Sequence, residues 1–122
     1  MTLTSEEFIK LKEKELPKEI KTKDISRKGI HKWAIVKRIC MQQTGLPEKI
    51  FVFERLKRLG TEGEIIHKIN DEGIQYRIGY YIVGKNGKKN GKWVWGQFCP
   101  LIPDKDFDKL IEKAKQNGIF SD

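Results

Sequence analysis

Cysteine is scarce in this chain: Cys40 and Cys99 alone among 122 residues, 59 positions apart and with no Cys-x-x-Cys pairing. That excludes a disulfide scaffold, and two free, buried thiols in a reducing compartment are the expectation. His31 and His67 stand at no zinc-finger spacing from either cysteine, so no metal and no other cofactor is expected. Long apolar runs are missing too. No stretch approaches the ~20 residues that cross a bilayer, and the N-terminus lacks an apolar signal core. A cytoplasmic protein without membrane contact is expected. Gly-x-Ser-x-Gly is absent, and the one Gly-Lys pair that resembles a phosphate loop, Gly91-Lys92, has Asn86 in place of the first glycine and Trp93 in place of Ser or Thr. A catalytic activity is therefore not expected. Carboxylates such as Glu62, Glu64 or Asp71 would serve a nuclease, but no paired-acid motif with a nearby lysine accompanies them.

Acidic residues are also missing locally. From Ile74 to Pro103 the chain carries five Lys/Arg and six aromatics without one carboxylate. That +5 is most of the molecule's net +8. Residues 29–60 add seven Lys/Arg against Glu48 and Glu54, another +5, and residues 61–73 are acidic at −3. A sequence pI near 9.5 calls for an acidic partner and is silent on fold. The 34% charged fraction mixes both signs, and with 38% apolar residues it fits one ordered domain over residues 1–122.

Apolar spacing predicts a helix over 4–16, opened by a Thr4/Glu7 capping box and stopped by Pro17, with Phe8, Leu11 and Leu16 inward. One short strand is expected near Ile20–Ile25. Residues 30–43 are apolar around a helical circumference and predict a second, central helix. Gly45 and Pro47 read as its stop and the restart of a third, 47–59. Glu64–Ile69 is expected as a strand and Asn70–Gly73 as a turn. Ile74, Tyr76, Ile78, Tyr80 and Ile82 alternate with Gln75, Arg77, Gly79 and Tyr81, which predicts a strand Ile74–Val83. A basic loop Gly84–Gly91, a strand Lys92–Phe98 and a helix 104–117 complete the order. The expected fold is α+β: three N-terminal helices, a three-stranded antiparallel meander and a C-terminal helix.

Helix, four-residue turn (Thr44-Gly45-Leu46-Pro47), helix end Phe53-Glu54-Arg55-Leu56-Lys57-Arg58-Leu59-Gly60, then the strand pair Glu64–Ile69 and Ile74–Val83, resembles the winged helix-turn-helix superfamily over roughly residues 4–83. The resemblance implies a helix in the major groove, bearing Arg55, Lys57 and Arg58, and a hairpin wing on the backbone. The wing turn Asn70–Gly73 departs from that pattern in being acidic.

The candidate contacts follow from charge and ring chemistry. Lys85, Lys88, Lys89 and Lys92 would sit on phosphates, with Arg77 and Tyr81 beside them; the plain reading is a solvated hairpin tip. If the loop is symmetric, Trp93 faces Ile82 and Trp95 faces Tyr80, so both tryptophans join the buried face. The opposite face then offers Arg77, Tyr81 and Phe98 around Gly79 and Gly96; a one-residue slip exchanges the faces. Asp104, Asp106 and Asp108 are read as helix-start acids. The expectation is a non-catalytic nucleic-acid-binding module, DNA ahead of RNA. The alternative is an adaptor docking an acidic protein, to which the apolar pair Ile50 and Phe51 on a charged helix points.

Overall fold

The computed structural model describes residues 2–66 and 73–121. Its elements run α1 (Ser5–Lys14), β1 (Lys18–Lys23), β2 (Gly29–Gln43), β3 (Leu46–Gly63), β4 (Ile74–Val83), a 3₁₀ turn (Gly87–Lys89), β5 (Trp93–Trp95) and α2 (Asp104–Gln116). The strands form one antiparallel sheet in sequence order. None of its helices is long and apolar enough to cross a membrane.

The three-helix expectation is overturned: residues 30–43 and 47–59 are the two longest strands, and Thr44-Gly45 is a tight hairpin turn between Gln43 and Leu46 with Gly45 at φ +77°. The helix-turn-helix therefore does not form. These segments mimic a buried helix because their inner halves are covered on both faces, which erases the alternation of a one-sided strand. Cys40, Ile50 and Val52 pack under Phe8 of α1, while Ile39, Phe51 and Phe53 pack under Leu110 and Ala114 of α2 and Ile119 just past its end. β-Branched residues such as Ile30, Ile35, Val36 and Ile39 then favour the strand. The sheet thus lies between α1 and α2.

At the ends the local signals hold. Thr4 and Glu7 form a reciprocal capping box, with Glu7 N–H donating to Thr4 Oγ1 at 3.2 Å and Thr4 N–H to Glu7 Oε1 at 2.9 Å. Leu11, expected inward, is exposed, and of the two thiols expected to be buried only Cys40 is, Cys99 being exposed. β1 falls near the strand expected at Ile20–Ile25, β4 matches its expected bounds, and α2 starts at Asp104. The expected strand Glu64–Ile69 is irregular over 64–66; its remainder, with Asn70, Asp71 and Glu72 of the turn, lies outside the described residues, as does His67.

The fifth strand takes the slipped register: Tyr81 pairs with Trp95 and Val83 with Trp93. Both tryptophans thus join the α1-side face rather than the Ile/Tyr face. Close ring packing fixes this register through two glycines. A Cβ on Gly79 would meet the Trp95 ring at 2.3 Å, and one on Gly96 the Tyr80 ring at 2.1 Å. The flat glycine patch expected to receive a ligand is occupied by the protein's own rings.

Candidate nucleic-acid interface

Register assigns each β3 and β4 side chain to a face. On the α1 side, Arg38, Glu54 and Arg77 lie in one cross-strand row. Fully buried Glu54 accepts from Arg38 Nε and Arg77 Nε, each at 2.7 Å. Arg38 also donates from Nη1 to the Lys12 carbonyl at 2.7 Å and to Glu15 at 3.0 Å, tying the end of α1 to the sheet. Burial works against the charge on Arg38, but Glu54 and Glu15 hold its pKa above the ordinary value. Arg77 stacks on Trp95, 4.7 Å from the ring centroid. Tyr81 sits between Phe8 and Trp95, and burial raises its phenol pKa. Arg77 and Tyr81 are thus engaged in the packing of α1 and β5.

The basic loop folds on itself. Gly84 N–H donates to the Lys92 carbonyl at 2.8 Å and Gly91 N–H to the Gly84 carbonyl at 2.9 Å. Lys85 pairs with Glu48; Lys88, Lys89 and Lys92 are exposed. Arg55, Lys57 and Arg58 lie on a strand, not a recognition helix. Arg58 faces the α1 side, whereas Arg55 and Lys57 face the other. Ile82 of β4 pairs with Lys49 beside the loop, and Ile74 pairs with Lys57. At ~3.4 Å per residue those ends are about 27 Å apart. The loop lysines and the β3 cations therefore do not form the shared surface expected of them.

What the structure does gather was not singled out by sequence. On the α2 side, the helix covers the rows Ile39–Phe53–Ile78 and Met41–Phe51–Tyr80. Among the described residues no helix covers the rest of that face. Its rows read Lys37–Arg55–Tyr76, Glu19–Ala34–Lys57–Ile74, Lys21–Lys32–Gly60 and Lys23–Ile30–Glu62. Six cations thus share one face with Glu19 and Glu62. Lys32 pairs with Glu62 at 2.7 Å, while Lys21, Lys23 and Lys57 are exposed. The signal lay in β1: Lys21 and Lys23 alternate with Ile20 and Thr22, the period of a strand with one wet face.

The C-terminal segment borders this face. Lys37 Nζ donates to the Gly118 carbonyl at 2.8 Å and the Ser121 carbonyl at 2.6 Å; Arg55 Nη1 donates to the Tyr76 hydroxyl at 2.9 Å and the Ile119 carbonyl at 3.3 Å. A cleft of about 410 Å³ opens here, lined by Val36, Lys37, Arg55, Lys57 and Ile74.

At the far edge, Asp24 accepts from His31 Nε2 at 2.8 Å, Ser26 N–H at 3.0 Å and Ile66 N–H at 2.9 Å. Burial alone would raise its pKa; the Ile66 amide, the His31 ring and Ser26 outweigh this and hold the carboxyl far below the usual range. Asp106 is not a simple helix-start acid: it is buried and accepts from the Thr44 hydroxyl and amide, fastening α2 to the β2–β3 turn. Among the described residues no three His, Cys, Asp or Glu side chains are grouped to hold a metal ion.

Comparison with known proteins finds no matching family model, no matching curated protein and no matching solved structure. It bears neither for nor against the winged helix-turn-helix resemblance.

Proposed function

We propose that the protein is a nucleic-acid-binding module whose contact surface is the helix-free half of the sheet. One observation carries the reading: Lys21, Lys23, Lys32, Lys37 and Lys57, with buried Arg55 among them, share a face with only two carboxylates, Glu19 and Glu62. Lysine ammonium groups on a wet sheet suit the repeated phosphates of a polyanion, and their contacts are salt-sensitive and sequence-independent. Lys88, Lys89 and Lys92 in the β4–β5 loop form a separate, weaker contact at the other end of the sheet. The rival reading, an acidic protein partner, loses its apolar support because Ile50 and Phe51 are fully buried.

The test is a salt titration of oligonucleotide affinity. The slope of log Kobs against log[salt] should be steep, and Lys21→Ala/Lys23→Ala/Lys57→Ala should reduce it by about 2–3, since each lost phosphate contact removes ~0.7–0.9. Absence of binding at low salt, or a slope indifferent to these three lysines, contradicts the assignment.

A further inference from the structure

The cationic face ends at a pair of rings. Tyr76 of β4 and Phe120 of the C-terminal segment are each 44% exposed, with centroids 5.6 Å apart and planes tilted at 60°. Phe53 supports both from beneath, edge-on at 6.0 Å to Tyr76 and 5.5 Å to Phe120. Arg55 holds the Tyr76 hydroxyl, fixing the ring beside the cleft that Lys37 and Lys57 line. Fixed, half-open rings beside a cationic cleft are a combination that suits single-stranded nucleic acid. Phosphates follow the positive surface, and an unpaired base lays its face on an aromatic ring. Duplex bases are already stacked on their neighbours and offer no free face, so a duplex can use the lysines but not the rings.

Resting on the function proposed above, we infer that the ligand is a single strand and that one of its bases stacks on the Tyr76–Phe120 pair, its phosphates lying along Lys57, Lys21 and Lys23. The rings make the site prefer unpaired bases without reading their identity, because every base has a π-face.

The experiment measures affinity for an oligothymidylate, an oligouridylate of equal length and a duplex of equal length, using wild type, Tyr76→Leu and Tyr76→Phe. Wild type should favour both single strands over the duplex. Tyr76→Leu should weaken both about tenfold, within the range set by loss of one stacked base. It should leave the salt slope and the duplex affinity unchanged, because no phosphate contact is lost. Tyr76→Phe keeps the ring and should retain single-strand affinity. Ultraviolet crosslinking of a halogenated single strand to wild type, mapped by mass spectrometry, gives a readout that needs no variant; adducts at Tyr76 or Phe120 support the inference. Duplex binding as tight as single-strand binding, or crosslinks confined to residues 84–95, overturns it while the cationic-face reading stands or falls on its own slope. Failure of all three ligands to bind overturns both. Unequal affinity for the deoxy and ribo strands, with both above the duplex, supports the inference and identifies the source.

Discussion

β2 and β3 each pass through two environments, and the contrast between them explains where this molecule is rigid and where it is available. In the inner half, the five residues Ile50–Glu54 are all buried, because α1 and α2 cover opposite faces. In the outer half only the α1-side face is closed, by Trp33, Ile35 and Leu56 packed with Leu16 and with Ile20 of β1. The change occurs at the irregularity between Ile35 and Lys37, where β2 carries the extra residue Val36. Beyond it the α2-side positions are mostly Lys, Glu, Ala and Gly, with Ile30 and Ile74 among them. The inner half spends its charges internally, on Glu54 between two arginines; the outer half leaves Lys21, Lys23 and Lys57 in water. The double-covered core and the proposed binding face thus lie at different ends of the same strands.

The inner half should break hardest. Glu54→Gln removes the countercharge of buried Arg38 and of Arg77, and should cost about 3–5 kcal/mol in urea or thermal unfolding. Gly79→Ala should cost less, about 1–3 kcal/mol, because its methyl must push the Trp95 ring off β4. Near-ultraviolet circular dichroism would report the displaced indole. A smaller, local effect distinguishes the outer end. The Asp24 carboxyl titrates lower in the folded state than in the unfolded chain, so its contribution is complete above the unfolded value near 4 and is lost as pH falls below it. Amide protection factors at 24–31 and 64–66 should therefore fall in acid before those at 50–56 do, and Asp24→Asn should remove that pH dependence. The smallest effect is expected for Lys21→Ala/Lys23→Ala/Lys57→Ala. Each change should shift stability by no more than about 0.5 kcal/mol, so any loss of nucleic-acid affinity reflects the surface itself.

Legibility in the sequence followed the same division. Elements with one wet face announced themselves: β4 through its strict alternation, α1 through Thr4 and Glu7, α2 through its apolar spacing. Residues 30–43 and 47–59 did not, because their inner halves are buried on both faces and carry no period, and an apolar circumference is equally what a central helix shows. The register of β5 was also hidden. A symmetric loop argued for one pairing, while the fit of Trp95 onto Gly79 and of Tyr80 onto Gly96 selects the other, a tertiary choice with no local signature. The candidate site suffered most. Lys57 was noticed as part of a supposed helix, yet its neighbours on the true surface, Lys21, Lys23, Lys32 and Tyr76, come from three other strands and meet only through register. Arg55 and Arg77 were singled out for their charge, but their hydrogen bonds commit them to positioning Tyr76 and neutralising Glu54.

Backbone amide chemical-shift mapping during titration with a single-stranded oligonucleotide tests the central claim most directly. Perturbations should concentrate on β1, on residues 30–37 of β2, on 57–60 of β3 and on Tyr76 and Phe120, with the β4–β5 loop shifting weakly and at higher ligand concentration. Perturbations centred on residues 84–92, with the outer half of the sheet unmoved, would contradict the account.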